Sequence, residues 1–183
     1  MKEALLNIIN NYGVMNQLEY WHTEVFELNE AIIKYEDYYY ENYDDGIGKV
    51  EWGKWRSHIA EEIADNYVML YQFPEYYYER LEYHDIAPYE FKTDNYENID
   101  DISKYLKKFQ KDVCKLTCEI AIAEERDQDY ISEYRYEIIT EKIDDVIYKL
   151  KSIQLYYKIS DKEIKEVMRY KINRQLERIS KGE

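Results

Sequence analysis

The chain has 183 residues, about the length of one domain, and at that length a hydrophobic core forms without help from disulfides or structural metals. Two prolines and five glycines accompany 45% hydrophobic and 35% charged residues, a composition that favours long helices over a many-turned sheet. The formal net charge of -14 argues against a nucleic-acid polymer as partner, because such binding depends on neutralising phosphates with Lys and Arg.

Sequence signals for export or membrane insertion are absent from the given sequence. The opening residues, MKEALLNIINNYG, lack the basic start, apolar run and cleavage site of a signal peptide. No run approaches the roughly 18 apolar residues of a membrane span. We therefore expect a cytoplasmic protein with no membrane partner. A small phosphorylated ligand stays compatible with the acidic composition, since a bound cation reverses the local sign of an acidic pocket.

The first two helices are expected at residues 3–10 and at about 14–36, separated by a break at Gly13. The second helix is predicted to bury an apolar side that consists of Leu18, Phe26, Leu28, Ile32 and Ile33. A loop rich in turn residues, YENYDDGIGKVEWG, follows at residues 40–53 and ends near Trp52 and Trp55.

A third helix is predicted to begin at Ser57, which suits an N-cap, and to run to about Phe73. Its buried stripe is expected to comprise Ile59, Ile63, Tyr67 and Leu70. Pro74 is interpreted as the end of this helix, and residues 74–99 as a connector that contains at most one helical piece.

Three more segments complete the predicted bundle of about five long helices. One begins at Asp100 or Asp101 and ends near Arg126, and another runs from about Tyr130 to Tyr157. The last begins at Ser160, where Glu163 completes a capping box and Ile159 with Ile164 forms a hydrophobic staple. Seven Lys or Arg against five Asp or Glu make residues 160–183 basic, and Lys171, Arg174 and Arg178 share one face there.

Cysteine and tyrosine invite functional interpretations that the pattern does not favour. Cys114 and Cys118 lie four apart on a predicted helix, which indicates a buried, reduced face, and no His shows the spacing of a zinc site with them. The 23 tyrosines are interpreted as a compositional bias and not as a base-stacking surface, because Tyr suits both core edges and surfaces.

The two halves of the chain resemble each other weakly. Residues 61–77 align with residues 141–157 at a shift of 80, and the segment around Glu119 resembles that around Glu27. In this alignment Lys142 stands at the position of Glu62, and Leu116 at that of Glu24. One hypothesis is a decayed second copy with one complete site per chain, and the alternative is a chance likeness of two Tyr-rich amphipathic helices.

Two acidic pairs border the apolar stripes of two predicted helices. Glu24 with Glu27, and Glu62 with Asp65, are each three residues apart and so face one direction on a helix. Four carboxylates that converge raise one another's pKa unless a cation neutralises them. Hard oxygen ligands suit Mg²⁺, with Mn²⁺ as a substitute. The competing interpretation is a pair of solvated acidic faces, which a chain with 39 acidic residues often presents.

Three segments resemble successive helices of the MazG-like all-α nucleoside triphosphate pyrophosphohydrolases. They are YGVMNQLEYWHTEVFELNEAI, HIAEEIADNYVML and YYKISDKEIKEVMRYKINRQLERI, so the likeness covers about residues 12–73 and 150–180. The family signature, a Glu-x-x-Glu helix followed by a Glu-x-x-Asp helix, is matched by Glu24, Glu27, Glu62 and Asp65. Thr23 replaces a frequent extra Glu, the spacer of 35 positions from Glu27 to Glu62 is long, and residues 74–140 lack a counterpart in short members.

The resemblance implies one helical domain over residues 1–183, with metal-site helices at 1–73, a connector at 74–99 and C-terminal helices at 100–183. It implies Mg²⁺-dependent hydrolysis of a (d)NTP to (d)NMP and pyrophosphate. The four matched carboxylates would hold the metal and serve catalysis, and one of them, such as Glu27, would accept the proton of water. Lys171 and Arg174 would bind phosphate oxygens.

Several alternatives remain open at the level of sequence. Trp52 and Trp55 either stack on the base or anchor a loop to the core. The chain is either this hydrolase or a non-catalytic acidic helical protein that binds a partner. Because the two metal-site helices bury little by themselves, a homodimer is expected over a monomer whose second copy replaces the partner.

Overall fold

The computed structural model describes residues 1–41, 48–83, 86–90, 96–127 and 130–182, and it describes their side chains except at residues 40, 41 and 48–52. Its helices are α1 (Lys2–Tyr12), α2 (Val14–Glu41), α3 (Gly48–Glu79), α4 (Ile102–Arg126), α5 (Glu133–Tyr156) and α6 (Asp161–Lys181). Apart from one isolated bridge between Leu81 and Ile131, these residues contain no β-structure. The predicted all-α fold is confirmed, with five long helices and the short α1.

The central element of the bundle is α3, which packs against α1, α2, α5 and α6. Its predicted stripe of Ile59, Ile63, Tyr67 and Leu70 is buried throughout. The α4 helix packs mainly against α5 and touches α2. Because α2 and α6 both lie against α3, side chains from all three helices can meet at one place.

The predicted break between α1 and α2 is confirmed at Gly13. This residue has a φ of +83°, a backbone conformation that glycine adopts without steric cost. The Gly13 N–H still donates to the Ile9 carbonyl at 2.8 Å, and its own carbonyl accepts from the Gln17 N–H at 3.0 Å. The break therefore redirects the chain while its backbone groups stay paired.

The predicted buried side of α2 is wrong at Phe26 and Ile33, which are 68% and 54% exposed. The residues that α2 buries follow helical spacing along a different line, namely Leu18, Trp21, Val25, Leu28 and Ile32. Phe26 and Ile33 lie seven residues apart on a second face together with Met15, which is 49% exposed. The sequence pattern merged two apolar faces into one.

Both predicted ends of α3 are wrong, because the helix begins before Ser57 and continues past Pro74. Residues 48–53 of the predicted loop are helical, and residues 42–47 lie outside the described part of the chain. Proline inside a helix costs about 3 kcal/mol. Phe73 and Tyr77, on either side of Pro74, are both fully buried, and the burial of such large side chains offsets that cost.

The start of α3 is anchored by Arg56 to the turn between α5 and α6. Its guanidinium donates to the carbonyls of Tyr157 at 3.1 Å and Lys158 at 2.8 Å, and to both carboxylate oxygens of Glu163 at 2.9 and 3.0 Å. Such a bidentate pair adds geometric specificity as well as energy. No local capping signal predicts an anchor that joins residues more than 100 positions apart.

The predicted start of α6 is confirmed. Ser160 Oγ accepts a hydrogen bond from the Glu163 N–H at 3.2 Å, and Ile159 and Ile164 are buried as a staple requires. The Asp101 cap of α4 is confirmed in the same way, since its carboxylate accepts from the Lys104 N–H at 2.9 Å. For α5, Ser132 supplies the cap, two residues after the predicted start near Tyr130.

Replacing Ser160 by alanine is expected to lower the free energy of unfolding by about 1 kcal/mol, because the Glu163 N–H loses its acceptor. Thermal unfolding monitored by circular dichroism measures the change, about 2–4 °C. The matched control is Ser57→Ala, since the Ser57 hydroxyl only donates back to the Gly53 carbonyl inside α3. Equal losses in both variants would contradict the cap assignment.

The predicted burial of the cysteines is wrong. Cys114 and Cys118 are exposed free thiols, because α4 turns the line of Phe109, Val113, Leu116 and Ile120 toward the core. The four-residue spacing does place both cysteines on the same face of α4, but that face is exposed to solvent.

Candidate functional site

Three of the four predicted carboxylates come together between α2 and α3. One carboxylate oxygen each from Glu24, Glu62 and Asp65 lies within 4.8 Å of the other two. Glu24 comes from α2, and the other two residues stand one turn apart on α3. We call these three residues the acidic cluster.

The fourth predicted carboxylate, Glu27, lies at the margin of the acidic cluster. Its side chain is exposed, and its negative charge helps to raise the pKa of Glu24. Its negative charge also helps to raise the pKa of Glu62 and of Asp65. Glu27 is therefore close enough to act electrostatically on all three members, while it keeps contact with solvent.

A buried amide sets the register of the two helices that carry the acidic cluster. Asn66 is fully buried, and its Nδ2 donates to the backbone carbonyls of Glu24 at 3.1 Å and Glu62 at 2.9 Å. Its Oδ1 accepts from Trp21 Nε1 at 3.1 Å. Asn66 thus ties α2 to α3 beside the carboxylates, and it was not among the predicted site residues.

Glu62 is the most buried member of the acidic cluster. One of its carboxylate oxygens lies 3.3 Å from His58 Nδ1, and the other, Oε2, is buried without a hydrogen-bond partner among the described residues. Burial, and then the charges of Asp65 and Glu24, raises the pKa of Glu62 to about 8. Burying an ionised carboxylate oxygen without a hydrogen-bond donor costs free energy. Binding a cation or a proton at Glu62 Oε2 would remove that cost.

Glu24 and Asp65 show the same resistance to ionisation. Burial raises the pKa of Glu24 to about 7, with further contributions from the charges of Asp65 and Glu27. Burial also raises the pKa of Asp65, against the opposing effect of its hydrogen bond with Lys171. Full ionisation of the three carboxyl groups is therefore disfavoured unless positive charge beyond that of Lys171 is bound nearby.

The neutralising group is Lys171 of α6, whose Nζ pairs with an Asp65 oxygen. Burial disfavours the charge of Lys171, but its hydrogen bond to Asp65 and the nearby carboxylates raise its pKa above the ordinary value. The predicted basic face of the last helix thus reaches the acidic cluster at Lys171. Arg174, the second predicted phosphate ligand, is exposed one turn further along.

A cavity of about 320 Å³ adjoins the acidic cluster, and Glu24 belongs to both. Its walls come from α2, α3, α6 and the end of α1, and its lining comprises Tyr12, Gln17, Tyr20, Glu24, Met69, Gln175 and Arg178. Gln17 is 4% exposed, and we find no side-chain hydrogen bond for it within the described ranges. The cavity thus offers two amides, two tyrosine rings and a guanidinium beside a carboxylate.

Of the two predicted tryptophan contacts, Trp55 does not line this site. Trp55 is half-buried and packs against the core, and it stands about 10 Å before Glu62 along α3 at 1.5 Å per residue. The side chain of Trp52 lies outside the described residues. Tyr12 and Tyr20 supply the aromatic surface next to the acidic cluster instead.

The α4–α5 pair carries no counterpart of the acidic cluster at the positions that the sequence alignment matched. Leu116, at the position of Glu24, is fully buried. Lys142, at the position of Glu62, lies 3.8 Å from Asp145 and 3.3 Å from Glu141. Glu119, at the position of Glu27, pairs with Arg135 at 3.1 Å.

A scan against protein-family models, a search of curated proteins and a search of solved structures each find no match to this chain. Of the helices that the structure describes, none combines the length and the apolar character needed to cross a membrane.

Proposed function

We propose that the chain is an Mg²⁺-dependent nucleoside triphosphate pyrophosphohydrolase, with the acidic cluster as its metal site. The observation that carries the proposal is the convergence of Glu24, Glu62 and Asp65 around a buried, unpartnered Glu62 oxygen. Oxygens bound to octahedral Mg²⁺ at about 2.1 Å lie about 3 to 4 Å apart, so a spacing of up to 4.8 Å closes with a small side-chain shift. Carboxylate oxygens are the ligands that this cation prefers.

Glu24, Glu62 and Asp65 would hold Mg²⁺ at this site, and the bound cation would supply positive charge for the substrate phosphates and Lewis-acid polarisation of the scissile anhydride. Water adds across the anhydride between the α- and β-phosphates, which yields the nucleoside monophosphate and pyrophosphate. Glu27 suits the role of proton acceptor, because its side chain faces solvent beside Glu24. Lys171 supplies positive charge to the same place from α6.

The adjoining cavity suits the nucleoside. A volume of about 320 Å³ lies within the usual range for small-molecule sites. The Gln17 amide can hydrogen-bond a base edge, and the ring of Tyr20 can stack on it. Arg178, on the same face of α6 as Lys171, would neutralise phosphate charge that Lys171 does not reach. The substrate would then lie along α6 with its phosphates at the acidic cluster.

The experiment that tests the proposal is an assay of pyrophosphate release from each common (d)NTP in the presence of Mg²⁺. We expect release from at least one nucleotide, with Mn²⁺ as a working substitute and no release in EDTA. If no nucleotide yields pyrophosphate, the chain is instead a non-catalytic helical protein. The same panel reports base and sugar preference.

The C-terminal half is expected to be dispensable for turnover. Replacing Glu119, Glu141 and Asp145 together by their amides should leave the rate of pyrophosphate release within a few-fold of wild type. The reason is that these carboxylates already pair with Arg135 or Lys142 and form no cluster among the described residues. A loss as large as that from Glu62→Gln would show that α4 and α5 build part of the working site.

We further propose a cytoplasmic homodimer that buries the exposed line of Met15, Phe26 and Ile33 on α2. These side chains are each about half exposed or more, on one face of one helix, and clustered apolar surface on a soluble protein usually marks an interface. Light scattering is expected to give twice the 22.5 kDa of one chain, and Phe26→Glu should restore the single-chain mass. A mass of one chain for the wild type would contradict the dimer.

A further inference from the structure

A large cavity lies away from the acidic cluster, between α1, α3, α5 and α6. Its volume is about 660 Å³, and none of Glu24, Glu62 and Asp65 lines it. Tyr67 and Tyr71 of α3 form one wall, and α6 forms the opposite one. A cavity of this size lies in the middle of the range seen for small-molecule sites.

The walls of this cavity are mostly apolar. Ala4, Ile164, Met168 and Ile172 contribute aliphatic or thioether surface, and the two tyrosines contribute rings. Met168 and Ile172 are themselves buried, so their surface turns toward the cavity and the core instead of open solvent. This half of the cavity suits an aliphatic or aromatic body.

A chain of hydrogen bonds lines the cavity and runs from the buried Tyr67 to the exposed Asp161. Tyr67 Oη donates to Gln154 Oε1 at 3.2 Å, and Gln154 Nε2 donates to Asp161 Oδ1 at 2.7 Å. The same Asp161 oxygen accepts from Lys151, which is only 7% exposed. Asp161 is the one acceptor that we find for Lys151 among the described residues, which leaves two of the three ammonium N–H groups for a ligand.

The charge of the cavity lining is opposite to that of the chain. Lys151, Lys165 and Arg169 bring three positive charges, and Asp161 brings one negative charge. Lys165 and Arg169 are exposed at the rim, one turn apart on α6. The lining therefore has a net charge of about +2 in a chain whose formal net charge is -14. A local reversal of this kind attracts anions that the rest of the surface repels.

We propose that this cavity binds a small amphipathic carboxylate, with its apolar body between α1, α3 and α6 and its carboxylate between Lys151 and the rim cations Lys165 and Arg169. The site is separate from the acidic cluster, and the proposal stands whether or not the chain hydrolyses nucleotides.

Octanoate is the probe for this site, and methionine-methyl NMR of the full chain is the measurement. Met168 lines the proposed site, whereas Met69 lines the cavity beside the acidic cluster and Met15 is half exposed on α2. We expect octanoate to shift the Met168 signal saturably and to leave those of Met69 and Met15 in place. Octylammonium, which has the same chain and the opposite charge, should not bind.

The double variant Lys165→Gln/Arg169→Gln is expected to weaken octanoate binding about tenfold, because two favourable charges are removed at the rim. Its matched control is Lys107→Gln/Lys111→Gln, which removes two exposed lysines at the same spacing on α4. The proposal is overturned if Met168 does not respond to octanoate, if octylammonium binds as tightly, or if both double variants bind as the wild type does. Circular dichroism of each variant confirms that the fold is retained.

Discussion

Replacing Glu62 by glutamine is expected to lower Mg²⁺-dependent pyrophosphate release by about 100-fold or more. Glu62 contributes the buried oxygen that has no hydrogen-bond partner among the described residues, and an amide at this position binds a cation far less well. Initial rates at saturating Mg²⁺ measure the effect. The matched control is Glu61→Gln, the same change at an exposed neighbour, which should stay within a few-fold of wild type.

The same substitution is expected to stabilise the metal-free protein, and more so as the pH rises. The pKa of Glu62 increases from 4.5 to about 8 on folding, so the folded state holds a proton more tightly than the unfolded state does. That contribution to stability is complete below about pH 4.5 and is lost as the pH rises through about 8. Glutamine never ionises. The advantage of Glu62→Gln should therefore be small at pH 4.5 and several degrees in Tm at pH 8, measured in EDTA.

Asp65→Asn should behave differently in the absence of metal, although it is expected to remove activity as well. Asp65 pairs with Lys171, and its amide would leave a half-buried ammonium without its anionic partner. The metal-free variant is then expected to be less stable than wild type near neutral pH. If Asp65→Asn were as stabilising as Glu62→Gln, the ion pair between α3 and α6 would not hold in solution.

Replacing Asn66 by leucine is expected to lower the free energy of unfolding by about 2–4 kcal/mol. The Trp21 indole N–H would be buried without an acceptor, and the Glu24 carbonyl would lose its donor from α3. For a chain of this length the corresponding fall in Tm is roughly 5–15 °C. Chemical denaturation and thermal unfolding both measure it. The substitution also removes the contact that sets α2 against α3, so the affinity for Mn²⁺ should fall too.

A suitable control for Asn66 is Asn7→Leu, because Asn7 is an exposed residue of α1. This variant should unfold within about 0.5 kcal/mol of wild type. If Asn66→Leu lost no more stability than Asn7→Leu, the buried amide would not fix the position of α2 relative to α3. If Asn66→Leu lost the expected stability but bound Mn²⁺ as tightly as wild type, Asn66 would stabilise the fold without positioning the metal site.

Local signals predicted most of the fold. Helix periodicity located the helices, and Gly13, Asp101 and Ser160 set helix boundaries through contacts with residues within about one turn. The errors arose where distant contacts outweigh local preference. Pro74 stays inside α3 because Phe73 and Tyr77 are buried beside it, and the early start of α3 is held by Arg56 through residues more than 100 positions away. Neither contact leaves a trace in local sequence.

For the candidate site, spacing predicted which carboxylates face one direction but not how they divide between core and solvent. Glu62 is buried and Glu27 exposed, although both border apolar stripes in the sequence. Asn66 carried a usable signal, because an amide adjacent to Tyr67 within the apolar stripe of α3 requires a buried partner. The spacing placed Arg178 on one face with Lys171, but Gln17 carried no signal, since its meeting with Arg178 in one cavity depends on the packing of several helices.

The most direct test of the metal site is a crystal structure of the protein soaked with Mn²⁺ and a non-hydrolysable α,β-imido nucleoside triphosphate, with anomalous data collected for manganese. We predict an anomalous peak bonded to oxygens of Glu24, Glu62 and Asp65 and to the phosphates, with the nucleoside in the cavity beside Gln17. The account is contradicted if manganese is absent from the acidic cluster while the nucleotide is bound, so that Lys171 remains the only cation on Asp65.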